Sequence, residues 1–468
     1  MSLIHFVLKY YNKVPPELLN IFGPFYNLMP EKIRYTPTFS REKNEIERIH
    51  SLSEEELLIE ENAKLQRIIQ YAYNHTEYYK ELFDVNGIDP KSIKTKSDLD
   101  RIPFLTKEIL VNNRDRLISD EFKQEDLVYI TTSGSTGVPT GFYVQKDSHI
   151  RDLAYTYYFF GKYGYTTKCK KLILRGKTFA NQKRGKNTQW DSFKRELSIN
   201  IFDMTDARMD EYCRAIEKYR PDVAYGYMSA MYLLCKHIEK RGGLNHKFKC
   251  FIGISETITA EQKEYVEKII EAPVLTFYGM SERVIIAAQD HESGEYTPEP
   301  IYGITEIIDS NGVVINEENK SGELVGTSLY NYGMPLIRYK TGDMSEWINM
   351  SYRKKDTLKT IYGRKQKDLL INCDGVPVSM ASLEVHSVIY DYMTRYQFYQ
   401  EVKGAVLVRV VLNTGVNQEV AKKAIEETFT KRTMGKIIFS VEFVDSLKPK
   451  ANGKYSIIDQ RMNVEEYL

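Results

Sequence analysis

Apolar runs suited to strands alternate with amphipathic runs suited to helices through the middle of the chain. Strands are predicted at residues 172–174, 223–225, 248–254 and 274–278, and helices at 229–241 and 259–271. Alternation of this kind is typical of a largely parallel sheet covered by helices. In such sheets ligands bind beyond the carboxyl ends of the strands. The pattern therefore predicts an α/β fold with a binding crevice at one edge of the sheet.

The pattern changes on both sides of this region. Ser53 and Glu56 form a capping-box pair in front of apolar residues at helical spacing, which predicts a helix from there onward. Asn311-Gly312 is a strong two-residue turn signal and predicts a hairpin over residues 305–315, with another strand at 322–329. We therefore expect a small antiparallel, barrel-like part within a large N-terminal domain.

Residues 365–468 have a pattern of their own and are predicted to form a small, mobile α+β C-terminal domain. Its expected elements are a helix at 379–393, a strand at 405–412, a helix at 417–431 and a strand at 437–444. The rest of the chain divides into a large domain at 46–364 and an N-terminal arm at 1–45. The arm is apolar but broken by prolines, so we expect it to pack on the body, with weak attachment to a membrane face as the alternative.

The stretch TTSGSTGVPT at residues 131–140 joins two predicted strands, 127–130 and 141–144. Small residues let backbone N–H groups approach a polyanion, and Ser and Thr hydroxyls add further donors. Taken alone, the stretch fits a loop around nucleotide phosphates and a tight polar turn about equally well. It is not a P-loop, because no Lys-Ser or Lys-Thr pair follows its second glycine.

Four further motifs follow this loop in order along the chain. They are Tyr278-Gly279-Met280-Ser281-Glu282, Tyr339-Lys340-Thr341-Gly342-Asp343, Gly363-Arg364 and Pro449-Lys450-Ala451-Asn452-Gly453-Lys454. Together with the loop, they resemble the adenylate-forming superfamily of acyl-CoA synthetases, luciferases and peptide-synthetase adenylation domains. Within it the chain looks most like the phenylacetate–CoA ligase branch. Residues 396–400, YQFYQ, resemble the relatives of that branch found in capsular-polysaccharide gene clusters.

The resemblance implies a role for each motif. The residues expected to bind ATP are Thr132, Ser133, Gly134, Ser135, Thr136, Gly137, Ser255, Glu256, Tyr278, Gly279, Met280, Asp343 and Arg364. The expected catalytic residues are Ser281 at the α-phosphate, Glu282 as the Mg²⁺ ligand, and Lys454, which would bridge the substrate carboxylate and the α-phosphate. Tyr225-Gly226-Tyr227 stands where the relatives hold the substrate acid, and it predicts an aromatic-walled pocket.

Two positions depart from the pattern of the wider superfamily. Thr140 stands where many members of the superfamily have a lysine after the loop proline, although the phenylacetate branch often lacks it. The threonine removes a positive charge near the phosphates. Arg175 and Lys177 are candidate substitutes for it. Gln366 falls where the superfamily usually has a hinge Asp or Lys, so we expect the C-terminal domain to pivot differently.

Composition excludes several other classes of function. Lys+Arg 65 against Asp+Glu 64 gives a net charge of +1, which offers no electrostatic case for nucleic acid. Five scattered cysteines argue against a disulfide framework and a zinc site and favour a reducing compartment. No apolar run reaches the roughly 18 residues of a spanning helix, and no signal-peptide pattern opens the chain. We therefore expect a cytoplasmic protein, with the inner face of the membrane as an alternative location.

The resemblance implies an enzyme that activates a carboxylic acid with ATP and Mg²⁺ through an acyl-adenylate, releasing pyrophosphate. The acyl group would then pass to CoA or to an amine or hydroxyl acceptor, for example on a sugar in surface-polysaccharide biosynthesis. The alternative is a catalytically lapsed nucleotide-binding or scaffold protein of a polysaccharide pathway. A kinase-type phosphotransferase is disfavoured, since the chain has no Walker lysine.

Overall fold

The computed structural model describes residues 16–132, 137–176, 187–350, 356–361, 369–447 and 456–467. Its helices are α1 (Pro16–Asn27), α2 (Glu31–Arg34), α3 (Pro37–Ser51), α4 (Glu54–His75), α5 (Glu77–Val85), α6 (Lys107–Asn112), α7 (Arg114–Leu117), α8 (Ser148–Phe160), α9 (Asp206–Tyr219), α10 (Met228–Lys240), α11 (Ala260–Ile270), α12 (Met380–Leu383) and α13 (Gln418–Arg432). Its strands are β1 (Leu127–Thr132), β2 (Thr140–Gln145), β3 (Lys171–Leu174), β4 (Thr188–Asp191), β5 (Glu196–Ile199), β6 (Val223–Gly226), β7 (Phe251–Gly253), β8 (Val274–Gly279), β9 (Ile286–Gln289), β10 (Tyr296–Pro298), β11 (Gly303–Ile308), β12 (Ser321–Ser328), β13 (Tyr339–Asn349), β14 (Thr357–Leu358), β15 (Leu369–Ile371), β16 (Pro377–Ser379), β17 (Met393–Val402), β18 (Ala405–Leu412), β19 (Ile438–Phe443) and β20 (Ile458–Gln460). The alternation predicted for the middle of the chain is confirmed.

One sheet of twelve strands runs through the large part of the molecule in the order β11-β12-β13-β14-β10-β9-β8-β7-β6-β3-β5-β4. Strands β5, β3, β6, β7 and β8 are parallel to one another. From β8 outward to β11, every neighbouring pair is antiparallel. The predicted α/β fold with an antiparallel part is therefore confirmed, and the two parts meet at β8. This junction places the end of β8 beside polar loops from both halves of the sheet.

Helix α4 begins where the sequence places it. The Ser53 hydroxyl accepts a hydrogen bond from the Glu56 backbone N–H, and the Glu56 carboxylate accepts one from the Ser53 N–H at 2.8 Å. This reciprocal capping box satisfies two donors that the first helical turn would otherwise leave unpaired. Apolar residues one or two turns apart, including Leu65, Ile68 and Ala72, are fully buried along one face of the helix.

The hairpin predicted over residues 305–315 forms around its tip. The Ile315 N–H donates to the Ile307 carbonyl at 2.7 Å and the Asp309 N–H donates to the Val313 carbonyl at 2.9 Å, on either side of the bridge between Ile308 and Val314. The Asp309 carboxylate also accepts hydrogen bonds from the N–H groups of Asn311 and Val313. The Asn311-Gly312 signal therefore marks a real hairpin turn, while the longer pairing of β11 is with β12.

The C-terminal part, residues 369–467, contains the hairpin β15–β16 and a four-stranded sheet in the order β19-β18-β17-β20, with α13 packed on it. The elements predicted at 405–412, 417–431 and 437–444 are confirmed. The helix predicted at 379–393 is wrong, because this stretch holds only the short α12, a 3₁₀ turn at Val388–Tyr392 and the start of β17. Residues 385–387 between them bond to Thr131 instead, so a tertiary contact overrides helix propensity.

The N-terminal helix α1 packs on the edge of the sheet next to β4. The Asn20 side chain donates to the Trp190 carbonyl at 3.1 Å and accepts from the Ser192 N–H at 2.9 Å. Phe25 in this helix and Leu28 just after it are exposed. Within the described ranges, none of the helices combines the length and the apolar character needed to cross a bilayer. Attachment of the arm to a membrane face stays a prediction.

Candidate active site

Strands β8 and β13 bring two predicted nucleotide-binding residues into contact. The Tyr278 hydroxyl at the end of β8 donates to the Asp343 carboxylate at 2.7 Å. Burial, followed by the negative charge of Asp343, raises the pKa of the Tyr278 phenol well above its usual range. The phenol therefore stays protonated and acts as a donor to the carboxylate.

A second tyrosine–carboxylate pair lies beside the first. Tyr339, the first residue of β13, donates its hydroxyl to Glu282 at 2.9 Å, and both side chains are buried. Burial raises the pKa of Glu282, while the positive charge of Lys107 and the Tyr339 hydroxyl act against that rise. We call these four residues, Tyr278, Glu282, Tyr339 and Asp343, the nucleotide corner.

The remaining residues of the motif after β8 surround this corner. Gly279 is exposed, whereas Met280 and Ser281 are half-buried. The Met280 sulfur lies 3.9 Å from the Tyr278 hydroxyl. Gly279 at an exposed strand end leaves the backbone open to an approaching ligand.

The predicted phosphate loop is described at its two ends. Strands β1 and β2 pair antiparallel from Leu127–Gln145 to Thr132–Thr140, as expected for a loop held between two strands. Ser133, Gly134, Ser135 and Thr136 lie outside the described residues, so their phosphate-binding role stays a prediction. Gly137 has a φ of +75°, and a Cβ there would lie 2.2 Å from the carbonyl oxygen of Tyr396. Both the backbone conformation and this close approach require glycine.

Contacts from the C-terminal part hold both ends of this loop. At one end, the Thr131 hydroxyl donates to the Val385 carbonyl at 3.0 Å. At the other, the Tyr396 N–H donates to the Gly137 carbonyl at 2.9 Å. The position of the C-terminal part is therefore coupled directly to the loop.

A mixed cluster joins the two parts next to β1. Asp391 accepts a hydrogen bond from the Tyr129 hydroxyl at 2.6 Å and forms an ion pair with Arg114 at 3.0 Å. The Arg114 guanidinium also lies 5.1 Å from the centre of the Tyr129 ring, within cation–π range. We call these three residues, Arg114, Tyr129 and Asp391, the latch.

The residues predicted to hold the substrate acid lie at the end of β6. The half-buried Tyr225 ring stacks on the Tyr165 ring, with 5.9 Å between the ring centres. The Arg175 guanidinium lies 6.0 Å from the centre of the Tyr225 ring. Tyr227 is buried, and its hydroxyl donates to the Ala381 carbonyl in the C-terminal part at 3.1 Å. Gly226 leaves no room for a side chain, since a Cβ would lie 2.1 Å from the Leu174 carbonyl oxygen. In this state the C-terminal part covers the predicted pocket.

Glu256 has a clear structural partner. Its carboxylate accepts hydrogen bonds from the N–H and the hydroxyl of Ser229, both at 2.8 Å, in the first turn of α10. Burial raises the pKa of Glu256, and hydrogen bonds from Ser379 and Ser229 act against that rise. Ser255, just before it, has a φ of +60°, an uncommon conformation for a residue with a side chain. The roles of Ser255 and Glu256 in nucleotide binding stay predictions. We call Tyr225, Gly226 and Tyr227 the acid side.

Four further predicted residues are positively charged. Arg364 and Lys454 lie outside the described residues, as does Lys177, so their roles stay predictions. Arg175 lies over the acid side rather than at the nucleotide corner. Lys107, which the sequence did not single out, lies near Glu282. The signal that could have found it is the pairing of Leu105 with Tyr339, which is visible only in three dimensions.

A cavity of about 800 Å³ lies between the large part and the C-terminal part. Its walls come from α6 and α7, residues 138–141, the start of β17 and residues 445–447. It therefore opens beside the end of the predicted phosphate loop and beside the residues that precede the Lys454 motif. Among the described residues, no cluster of three His, Cys, Asp or Glu side chains could hold a metal by itself.

Comparison with known proteins places this geometry in a family. Residues 42–328 match the AMP-binding enzyme model, and residues 370–461 match the CapK C-terminal domain. Protein CapK of Staphylococcus aureus is 24% identical over 451 residues, which are 95% of this chain and 97% of that protein. The phenylacetate-coenzyme A ligase of Escherichia coli is 25% identical over 363 residues, 74% of this chain and 79% of that enzyme.

Solved structures agree on the fold. A 2-hydroxyisobutyryl-CoA ligase in complex with 2-HIB-AMP and CoA superposes with a TM-score of 0.54 at 17% identity, covering 88% of this chain and 91% of that one. The same ligase in its postadenylation state gives a TM-score of 0.50. With more than half of its length matched by the family model, the chain belongs to the AMP-binding enzyme family, as an adenylate-forming ligase of the phenylacetate–CoA ligase branch.

Proposed function

We propose that the chain activates a carboxylic acid with ATP, forming an acyl-adenylate and pyrophosphate, and then transfers the acyl group. The observation that supports this most is the nucleotide corner, in which two carboxylates are held by two tyrosine hydroxyls at the junction of the sheet. Asp343 would accept the ribose hydroxyls, and the Tyr278 ring would lie against the adenine. Both side chains are held in place before any ligand arrives, which lowers the cost of ordering them on binding.

Mg²⁺ fits the donor set at this corner. It prefers oxygen ligands and is commonly held by one or two carboxylates together with substrate phosphates rather than by a complete protein cage. Glu282 supplies one such carboxylate, and its second oxygen is free of the Tyr339 contact, which is made to Oε1. Bound there, the ion would neutralise phosphate charge during the transfer.

In the first half-reaction, a carboxylate oxygen of the acid forms a bond to the α-phosphorus. The bond from that phosphorus to its bridging oxygen breaks, and pyrophosphate leaves with the electron pair. Two anions must meet, so charge neutralisation and alignment carry most of the rate enhancement. We assign these tasks to the phosphate loop from Thr132 to Gly137, to Ser281 and to Lys454.

The acceptor of the acyl group is either CoA or an amine or hydroxyl. The curated relatives named phenylacetate-coenzyme A ligase support CoA. The match of residues 370–461 to the CapK C-terminal domain supports an acceptor in surface-polysaccharide biosynthesis, for which a sugar amine or hydroxyl is suited. We further propose that residues 46–364 and 365–468 are the two bodies that move between the half-reactions, as lids do in other enzymes.

The decisive experiment is carboxylate-dependent exchange of labelled pyrophosphate into ATP, screened over aryl, fatty, amino and uronic acids. We expect exchange with one of these classes and none without acid. Subsequent addition of CoA or of amino sugars then identifies the acceptor by consumption of the adenylate. ATP binding without exchange for any class would favour the lapsed scaffold protein instead.

A further inference from the structure

A short parallel backbone pairing between Leu105 and Tyr339 places Lys107 next to the nucleotide corner. The Leu105 N–H donates to the Arg338 carbonyl at 3.1 Å, and the Lys340 N–H donates to the Leu105 carbonyl at 3.0 Å. Two residues further on, Lys107 therefore lies beside Gly342, next to Asp343. A Cβ placed on Gly342 would be 3.7 Å from the Lys107 Nζ, so the ammonium group stands directly against that turn.

The Lys107 ammonium faces carboxylates without pairing with them. Its positive charge is the leading influence opposing the rise in the pKa of Glu282, yet among the described residues it forms no ion pair within 4 Å. The neighbouring Lys340 is different, because its ammonium lies 3.0 Å from Glu323. A half-buried lysine that lies near Glu282 but forms no ion pair with it has donors available to a ligand.

The same helix reaches the predicted phosphate loop. Helix α6, which Lys107 begins, packs against β2, the strand that leaves this loop. At the start of β2, Thr140 is buried, and its hydroxyl has no hydrogen-bond partner in the described chain. No charge is therefore supplied at the position where many relatives carry a lysine. Arg175 lies over Tyr225 on the acid side instead.

We propose that the Lys107 ammonium binds the polyphosphate of the nucleotide and supplies the positive charge that Thr140 does not provide. The inference rests on the proposed function, since it needs ATP to lie across the nucleotide corner and the loop. Without this lysine, Glu282 and Asp343 would present two negative charges to a polyanion in a partly buried site, where charge repulsion is weakly screened. With it, the negative charge that leaves on pyrophosphate has a fixed cation nearby.

The test compares Lys107→Met, Lys107→Arg and Lys340→Met by calorimetric binding of MgATP, AMP and adenosine, together with pyrophosphate exchange. Lys340→Met is the matched control, because it removes a lysine from the adjacent strand that is paired with Glu323. We expect Lys107→Met to weaken MgATP binding about tenfold or more, AMP less, and adenosine hardly at all, as fits loss of a charge-assisted contact. Lys107→Arg should restore most of the MgATP affinity.

A loss that is equal for MgATP, AMP and adenosine would overturn the inference and give Lys107 a structural role. The inference would also be overturned if the wild type exchanges pyrophosphate and the Lys107→Met protein binds MgATP as tightly as the wild type does. A wild-type protein that binds no MgATP would overturn the proposed function and the inference together. The two failures are therefore distinguishable in one set of titrations.

Discussion

The nucleotide corner and the acid side are built on different principles. In the corner, each carboxylate is bonded to a tyrosine of the same sheet, through Tyr278–Asp343 and Tyr339–Glu282. On the acid side, the buried Tyr227 bonds to Ala381 of the C-terminal part instead. These two bonds of the corner lie within the large part, whereas the bond from Tyr227 reaches the C-terminal part and would change if that part moved.

The difference indicates a division of labour. In the proposed reaction the nucleotide stays bound through both half-reactions, and the two tyrosine–carboxylate bonds of the corner, made within the large part, can hold it throughout. The acid side instead bonds to the C-terminal part, through the Tyr227 hydroxyl and the Ala381 carbonyl. Nearby, the Arg432 guanidinium of the C-terminal part donates across the boundary to the Gly176 carbonyl at 2.7 Å and within its own part to the Ser382 carbonyl at 2.8 Å. Burial lowers the pKa of Arg432, so separating the two parts would take one hydrogen bond from a partly buried cation.

The largest expected effect is that of Lys454→Ala, which should slow the first half-reaction far more than the second. The activation free energy of adenylate formation should rise by about 3 kcal/mol, because one charge-assisted contact in the transition state is lost. The rate should therefore fall roughly a hundredfold or more. Transfer from a supplied acyl-adenylate should be largely intact. Lys450→Ala, in the same motif, is the matched control. Equal loss in both half-reactions with the fold intact would make Lys454 structural.

Asp343→Ala should weaken binding of the nucleotide and leave binding of the acid unchanged. We expect nucleotide affinity to fall by about 2 kcal/mol, roughly thirtyfold, since the ribose hydroxyls and the Tyr278 hydroxyl all lose an acceptor. Acid affinity, measured by titration of the acid alone, should not change. Glu346→Ala serves as the control, because Glu346 lies on the same strand but pairs with Lys359 at 2.7 Å. A matching loss for acid and nucleotide would remove the distinction between the two regions.

Tyr278 and Asp343 were singled out by the family resemblance and not by local patterning alone. Tyr278 lies near the end of β8, a strand that the apolar pattern predicted at residues 274–278, whereas Asp343 lies within β13, and only the fold shows that the two side chains are bonded. The helix predicted at 379–393 failed because residues 385–387 bond to Thr131, more than 250 positions away. Lys107 was missed for the same reason, since its position depends on a pairing with Tyr339 that no local pattern encodes.

Tyr227→Ala should have the opposite effect to Asp343→Ala: it should weaken binding of the acid and not of the nucleotide. Loss of this buried ring is expected to weaken acid binding by about 1.5 kcal/mol, roughly tenfold, while MgATP binding changes little. Tyr227→Phe is the matched control, because it keeps the ring and removes only the hydroxyl that donates to Ala381. It should leave acid affinity nearly intact. If acid and MgATP affinity fell together in Tyr227→Ala, the acid pocket would have to be placed elsewhere.

The smallest effect is expected for a variant of the latch, which connects the large part to the C-terminal part. Arg114→Gln removes the ion pair with Asp391, whose side chain is 35% exposed, so we expect a cost of no more than about 1 kcal/mol. If the C-terminal part must leave β1 between half-reactions, this cost falls only on the state shown here. The variant should therefore change the ratio of the two half-reaction rates a few-fold, with little change in nucleotide affinity.

Arg116→Gln is the matched control for the latch. Arg116 lies on the same helix, α7, but pairs with Glu81 inside the large part, so its loss should leave the ratio of rates unchanged. Added salt should reduce the difference between the wild type and Arg114→Gln, since a partly exposed ion pair is screened. If both variants change the ratio alike, the effect comes from surface charge and not from the latch. A shift confined to Arg114→Gln would instead mean that the latch and the end of the phosphate loop are released together, because Thr131, two residues beyond Tyr129 on β1, is bonded to the same stretch of the C-terminal part as the latch.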